Sequence, residues 1–322
     1  MTYSKSLQGR FVSSRSVPRI LLGVSVLMWL VGFFFDRPVN EIHIFGLQIG
    51  NVVSRSITFA CFALATALMS SWYVFDRRIR WYLALFFCLP SVSFFVHGSL
   101  FFSFALNLFI ILLYRIFNCK QGEDNRYNLF SALTLFGVST MLFPQFIMLL
   151  LPIVLYLWAS ALVGWRELLS VLLGLLTPFW FLFGIDYIFP NLLIADRLDI
   201  FPIAYITSAR LLQPSFHDVF VIVTELLVLI PFVLLFFNSA TPGKLLLRKR
   251  LTFFALLGFY LILLSVIYSN DFIFYYILSL PVMAVMLTYI FSLNITKFSR
   301  YYFIFINIIW LSMGACSLWL RH

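Results

Sequence analysis

Residues 20–43 read ILLGVSVLMWLVGFFFDRPVNEIH, and this stretch decides the fold class of the chain. The apolar run from Ile20 to Phe35 is followed at once by Asp36 and Arg37, without a small-residue cleavage site. Because a cleavable signal peptide needs such a site, we expect the run to stay in the membrane as a signal anchor. The stretch therefore predicts an integral membrane protein with a polar loop directly after its first span.

The composition of the whole chain is that of a membrane protein. Of its 322 residues, 63% are hydrophobic and 11% are charged, whereas soluble domains are roughly 45–50% apolar and about 25% charged. The net charge of +10 would suggest nucleic acid in a soluble protein. Basic loops orient membrane spans, so we expect the lipid bilayer as the partner and no nucleic acid. We predict a single transmembrane domain over residues 1–322, in which residues 1–18 form a cytoplasmic surface segment.

Continuously apolar runs predict an all-α fold, a polytopic transmembrane helix bundle of about eleven spans, with about nine as the lower limit. The predicted spans are 19–35, 56–75, 81–96, 99–117, 129–143, 146–163, 168–189, 217–237, 252–268, 272–293 and 301–319. The runs lack the period of two that a barrel requires. The pairs within 81–117 and 129–163 are short for two full crossings of a ~30 Å core, and re-entrant hairpins are the alternative there.

The distribution of basic residues predicts the orientation of the bundle. With a cytoplasmic N-terminus, 17 of the 22 Lys and Arg residues fall in inside segments and 5 fall outside. Cytoplasmic loops are enriched in these residues, so the asymmetry supports strictly alternating spans. We therefore expect the N-terminus inside and the C-terminus outside.

Two predicted outer loops, residues 36–55 and 190–216, are longer than the other outer connections, and long loops in compact proteins tend to carry function. The second loop holds Arg197 and Arg210, two of only five basic residues on the outer side. The preference of basic residues for the cytoplasmic side does not explain why these two lie in an outer loop. We therefore predict that they bind an anionic headgroup or a lipid phosphate. The alternative is local pairing of Arg197 with a neighbouring aspartate.

The first outer loop carries the candidate catalytic residues Asp36, Glu41 and His43. A carboxylate at the end of a span, near water and a second carboxylate, can act as a general base. Arg37 can hold a phosphate or carboxylate through its planar fork of donors. The alternative is an interfacial stop signal in which Asp36 and Arg37 pair with each other or with water.

Predicted span eight carries the acidic residues Asp218 and Glu225, which are candidate ligand-binding residues. They are seven residues apart and therefore lie near one face of a helix. Glu225 lies about two turns into the hydrocarbon, and an acid buried there is by default a functional-site hypothesis. It is either protonated or paired with a base such as Arg210 or Arg55. The alternative role is a structural hydrogen bond between helices.

No motif in the chain predicts a metal site or a cofactor. None of the four cysteines forms C-x-x-C, and the histidine clusters of membrane di-iron enzymes and the phosphate-binding loop of ATPases are both missing. The forty phenylalanines are expected to face lipid.

Four stretches within residues 97–187 resemble a family of multi-pass inner-membrane proteins from Bacteroidota. They are Leu106–Leu108 (LNL), Leu135–Pro144 (LFGVSTMLFP), Trp165–Leu169 (WRELL) and Leu173–Phe179 (LGLLTPF). The resemblance covers under a third of the chain. It implies a bacterial inner-membrane location, and the family has no established activity to carry over.

The arrangement of loops is similar to that of C-type-fold glycosyltransferases that use polyprenyl-phosphate sugars. Those enzymes begin inside, place a catalytic acid in the first outer loop and carry a second large outer loop between spans seven and eight. Asp36 and the loop 190–216 occupy these places here, although the loop 36–55 is shorter than such enzymes have. Fold analogy of this kind is a weak basis for function.

Three functions follow from these patterns, and whether the chain is an enzyme stays open. The first is an enzyme that acts on a polyprenyl-phosphate-linked glycan or lipid at the outer leaflet, with Asp36 as the base. The second is a transporter or flippase that uses Glu225 and Asp218 in a polar cavity. The third is a non-catalytic scaffold that binds a protein partner through cytoplasmic basic segments, chiefly Lys244 to Arg250.

Overall fold

The computed structural model describes residues 42–44, 47–49, 51–72, 86–87, 100–119, 123–160, 164–188, 216–238, 245–268, 271–293, 301–302 and 304–309, with residues 23, 27 and 162. All structural statements below concern these residues. They are predominantly helical, which confirms the predicted all-α class.

Each described helix overlaps a predicted span, whereas the predicted spans 19–35, 81–96 and 301–319 lie largely outside the described residues. They are α1 (Asn51–Ser71), α2 (Leu100–Phe117), α3 (Arg126–Leu142), a 3-10 helix (Pro144–Leu149), α4 (Leu150–Ala159), α5 (Trp165–Ile188), α6 (Phe216–Asn238), α7 (Leu245–Ile267) and α8 (Phe272–Leu293). Helix α8 has the predicted bounds. Helix α7 begins at Leu245 rather than at residue 252, because Lys and Arg are good helix formers whose alkyl stems pack on apolar surface.

A small β-hairpin lies in the predicted first outer loop. Strand β1 (Ile42–Ile44) pairs antiparallel with strand β2 (Leu47–Ile49). Each strand alternates apolar and polar residues, Ile-His-Ile and Leu-Gln-Ile, which is the pattern of a half-buried strand. This is a local departure from the predicted all-helical fold, and it was missed because three-residue strands give little periodicity to read.

Four helical segments are long and apolar enough to cross a membrane. They are Trp165–Ile188, Asp218–Phe237, Leu247–Ile267 and Phe272–Phe291. The chain is therefore a membrane protein by the length and composition of its helices. The count of eleven spans and the side on which each terminus lies stay predictions.

Contacts divide the chain into two compact units. Unit 1 is Met1–Phe104, Phe220–Pro242 and Ile277–His322, and unit 2 is Ala105–Val219 and Gly243–Tyr276. The single domain expected from the sequence stays a prediction, and each unit is described by itself.

In unit 2, helices α4 and α7 run antiparallel. The ring of Tyr156, near the end of α4, lies 4.5 Å from the ring of Phe253, near the start of α7. At the other end, the Tyr260 hydroxyl donates to the carbonyl of Met148 over 3.0 Å. The opposite directions are those that strictly alternating spans six and nine require.

Helices α3 and α5 of unit 2 are parallel and approach each other at two glycines. A Cβ placed on Gly174 would lie 2.5 Å from the carbonyl oxygen of Phe130, and one on Gly137 would lie 2.9 Å from that of Leu175. Small residues let membrane helices pack backbone to backbone. Both glycines belong to the stretches that carry the family resemblance.

In unit 1, the residues of α6 and α8 pack side by side in the same direction. Phe232 lies 5.3 Å from Tyr289 between ring centroids. About two turns earlier in α6 and nearly three turns earlier in α8, the side chain of Glu225 meets that of Ser279. Alternating spans predict this common direction for two helices that have one further span between them in the sequence.

The expectation that phenylalanines face lipid is wrong for many of them. The buried ones include Phe62, Phe86, Phe87, Phe109, Phe117, Phe136, Phe143, Phe146, Phe232, Phe236, Phe253, Phe254, Phe272, Phe274 and Phe291. Several form tilted or edge-on ring pairs, such as Phe146 with Phe274 at 5.6 Å. Aromatic pairs of this geometry add to the packing energy, so the rings build the interior of each unit.

Candidate functional site

Most of the predicted catalytic and phosphate-binding side chains lie outside the described residues. These are Asp36, Arg37, Glu41, Arg197 and Arg210. For His43 only the backbone is described, and it pairs in register with Gln48 in the hairpin. The predictions for both outer loops therefore stay predictions.

Helix α6 positions the two predicted acids of span eight. Asp218 lies in the first turn, where a negative charge is favoured by the helix dipole, and it is half-buried. Glu225 follows two turns later, about 10 Å along the axis. Only 3% of Glu225 is exposed, so this acid belongs to the interior of unit 1.

The carboxyl group of Glu225 meets a single hydroxyl group from another helix. Ser279 of α8 donates a hydrogen bond to Oε1 of Glu225. Oε2 is also buried and has no hydrogen-bond partner among the described residues. The side chains of Arg55 and Arg210, the bases considered from the sequence, are outside the described part of the chain. One oxygen of this acid is thus fixed, and the other is available to a proton or ligand.

The polar residue next to this acid in the sequence is satisfied within its own helix. The hydroxyl of Thr224 donates to the carbonyl of Val221. In the apolar stretch of α8 that carries Ser279, within Phe272–Phe291, 94% is buried inside the protein. In such an environment electrostatic interactions are strong and an unpaired charge is costly.

Two polar side chains of this site could not be selected from the sequence. Ser279 is one serine inside the long apolar run of α8, and hydroxyl residues in membrane helices are common interhelical donors. Tyr302 donates its hydroxyl to the carbonyl of Leu227, two residues after Glu225. The only feature in the sequence that points to Ser279 or Tyr302 is that each is a polar residue within an apolar segment.

Unit 2 contains a buried base, Arg250, in the predicted cytoplasmic basic segment. Its guanidinium donates to the carbonyl of Phe117 at the end of α2 and lies over the Phe117 ring, 5.7 Å from the centroid. Arg248 is exposed and Lys249 is half-exposed. Of these three basic residues, Arg250 is therefore turned into the protein, and the other two face outward.

The titratable groups around the predicted cytoplasmic turn before α3 do not form a reactive centre. Burial raises the pKa of the Cys119 thiol to about 12, against a smaller opposing effect of Arg250, so the thiolate nucleophile is absent at neutral pH. Hydrogen bonds from Arg126 lower the pKa of the exposed Asp124 to about 2. This carboxylate stays ionised at ordinary pH and is held in a surface ion pair.

Within the described ranges, no three His, Cys, Asp or Glu side chains come together as a metal site. No family model, no curated protein and no solved structure matches this chain. Both resemblances described above stay predictions, and the function has to be argued from Glu225 and its surroundings.

Proposed function

We propose that this chain is a multi-pass transporter of the bacterial inner membrane in which Glu225 carries a proton through its transport cycle. The observation that supports this function is the buried carboxyl group of Glu225, which is hydrogen-bonded by Ser279 at one oxygen only. Ionisable residues inside membrane spans are rare, and those that occur commonly mark proton relays or substrate pathways.

No base in the described part of the chain compensates the charge that Glu225 would carry if ionised. An ionised carboxylate at this depth is expensive unless a base or cation compensates it, and no described base pairs with Glu225. The acid is therefore stable as a neutral group in this conformation. Release of its proton requires water or a cationic substrate group to reach Oε2, which couples proton movement to opening of the site.

Asp218 supplies a second step along the same helix face. It lies about 10 Å from Glu225 along α6, at the predicted outer end, and is half-buried. An acidic side chain at that place can concentrate cations near the entrance. Glu225 is the proton carrier in this proposal, and Asp218 is the acid nearer the predicted outer end of α6.

Proton entry into liposomes tests this function. The purified chain is reconstituted around a pH-sensitive dye, and a pH gradient is imposed. We expect proton entry faster than in protein-free liposomes for the wild type and at the protein-free rate for Glu225→Gln, because glutamine still accepts the Ser279 hydrogen bond but carries no proton. Thr224→Val is the matched control, since its hydroxyl bonds only within α6, and it should behave as wild type.

Two results contradict transport. If the wild type moves protons no faster than protein-free liposomes, or if Glu225→Gln moves them as fast as wild type, the Glu225–Ser279 contact is a structural link between helices. The scaffold function, with a protein partner at the cytoplasmic basic residues, is then the better proposal.

A second candidate is an outer-leaflet enzyme acting on a polyprenyl-phosphate-linked glycan or lipid, with Asp36 as base, Glu41 and His43 assisting and Arg37, Arg197 and Arg210 on the phosphate. The observation that favours it is the β-hairpin, which gives folded structure to the loop that carries His43. Sugar transfer from a polyprenyl-phosphate donor should disappear in membranes that contain the Asp36→Asn variant and persist in membranes that contain the Asp124→Asn variant. Equal activity in both variants would contradict this candidate.

A further inference from the structure

Unit 2 has a groove of about 580 Å³ between helices α4 and α7. Its walls are mostly aliphatic and aromatic, and none of the described residues that line it is acidic. Large apolar side chains in these walls are exposed, with exposed fractions of 49% for Leu155, 60% for Leu256 and 59% for Phe259. An open apolar groove on membrane helices is a place where hydrocarbon chains lie.

The two cations of the groove are at one of its ends. Arg248 and Lys249 line it from the first turns of α7, and Ser160 lines it from just beyond α4. Since α4 and α7 are antiparallel, these three residues share one end. The opposite end is near the contact between Tyr260 and Met148. The groove therefore has a basic, hydrogen-bonding end and an apolar remainder.

The length of the apolar part matches one membrane leaflet. Arg248 and Phe259 are eleven residues apart on α7, which is about 16 Å along the helix axis. Half of a hydrocarbon core of ~30 Å is about 15 Å. With the basic end at the depth of the headgroups, the apolar walls reach the middle of the bilayer.

We infer that this groove binds one anionic phospholipid of the cytoplasmic leaflet. Its phosphate group contacts Arg248 and Lys249, and its acyl chains lie along Leu155 and Leu256. Basic pockets between membrane helices on the cytoplasmic side bind anionic headgroups, and the excess of basic residues places this end inside. Arg250 takes no part, because its guanidinium is buried against Phe117.

This lipid site is independent of the proposed proton transport. It rests on charge complementarity and the shape of unit 2, whereas transport rests on Glu225 in unit 1. A lipid that fills the groove covers apolar surface of both α4 and α7 and so favours their antiparallel contact. We therefore expect it to stabilise unit 2.

Native mass spectrometry of the purified full chain tests the site. The protein is released from micelles that contain equal amounts of phosphatidylglycerol and phosphatidylcholine with identical acyl chains. We expect the wild type to retain phosphatidylglycerol preferentially. Arg248→Gln and Lys249→Gln should each lower this preference about fivefold, from the roughly 1 kcal/mol that a basic residue contributes near an anionic surface.

Two further variants distinguish binding of the lipid in the groove from attraction of anionic lipid to the basic surface as a whole. Arg166→Gln removes an exposed basic side chain that does not line the groove, so it should leave the preference unchanged. Leu155→Trp fills the groove without changing charge and should lower retention of phosphatidylglycerol. Thermal unfolding of each variant confirms that it is folded.

Equal retention of the two lipids by wild type would overturn the inference. An equal loss of preference in Arg166→Gln and Arg248→Gln would also overturn it, because the attraction would then belong to the whole basic surface. Unchanged retention in Leu155→Trp would show that the acyl chains do not use the groove.

Discussion

Arg250 in unit 2 and Glu225 in unit 1 are both buried, ionisable and carried by apolar helices, but they are held in different ways. The guanidinium of Arg250 donates to a backbone carbonyl, that of Phe117, and lies over the ring of the same residue. The carboxyl group of Glu225 is held by one side-chain hydroxyl, that of Ser279. The base is held by the backbone carbonyl and ring of Phe117 and also hydrogen-bonds to the side chain of Tyr156, whereas the described contact of the acid is one side-chain hydroxyl.

The difference indicates a different role for each group. The carbonyl of Phe117 is at the end of α2, where a helix leaves carbonyl groups without partners, so Arg250 satisfies a need of the fold. Glu225 satisfies no backbone group in the described structure, and its second oxygen is unused. We therefore expect substitutions of Arg250 to act on stability and substitutions of Glu225 to act on function.

Loss of Arg250 should have the largest effect on stability. Arg250→Met leaves the Phe117 carbonyl without this donor and should lower the free energy of unfolding by about 3 kcal/mol. Arg250→Lys should lie in between, because an ammonium lacks the planar fork. Equilibrium unfolding in mixed micelles measures both. Arg166→Met, which removes an exposed basic side chain outside the groove, is the control and should change stability by about 0.5 kcal/mol or less. An equally small effect of Arg250→Met would show that Arg250 is not held more firmly than a surface base.

A second contact with the backbone in unit 2 should also be important for stability, namely that of Gly174 with the carbonyl of Phe130. A methyl group on Gly174 would lie 2.5 Å from the carbonyl oxygen of Phe130, so Gly174→Ala should destabilise by about 2 kcal/mol through overpacking. Gly184, in the same helix, has open space around the added Cβ. Gly184→Ala should therefore be neutral or stabilising, by up to about 1 kcal/mol. Equal unfolding curves for the two variants would refute a close α3–α5 contact.

Removal of the serine in unit 1 should have a smaller effect. Ser279→Ala deprives Glu225 of its hydrogen bond and should lower the free energy of unfolding by about 1 kcal/mol. The double variant Glu225→Leu with Ser279→Ala removes both polar groups and should recover most of that loss. A double-mutant cycle in micelles measures the coupling, and additive effects would show that the two side chains do not interact.

The smallest expected change in stability is that of Glu225→Gln. Glutamine keeps the acceptor oxygen for Ser279, so the unfolding free energy should change by less than about 1 kcal/mol. Its effect should instead appear in infrared spectra of the protein in lipid nanodiscs, as the loss of a protonated carboxyl band that is present in wild type. A large loss of stability without that spectral change would assign Glu225 the structural role of Arg250.

The helical fold was largely predictable because apolar runs of about 20 residues have one structural solution in lipid. The bounds of α8 were predicted to the residue, and α6 differs from its prediction by one residue at each end. The errors fall where local signals are ambiguous. The basic residues at the start of α7 were read as a loop, since charge indicates a span end even when the helix continues past it. The hairpin was missed because its strands are short.

The candidate site was predictable only in part. Glu225 could be selected because an acid within an apolar span is rare. Its partner could not, because Ser279 is 54 residues away in the sequence and nothing in the α8 pattern distinguishes it. The same holds for Arg250, which the sequence shows only as one base of the segment Lys244 to Arg250, because the carbonyl of Phe117 that it meets is 133 residues away.

The sequence by itself determined that this protein is helical, lies in a membrane and contains an acid in a span, because these follow from local composition and from the cost of unpaired polar groups in lipid. Which phenylalanines are buried, which basic residue is turned inward and which side chain meets Glu225 become clear only from the folded arrangement of the helices. Those outcomes depend on contacts between residues far apart in the chain, and such contacts are set by helix packing, which leaves no periodic signal in any single segment.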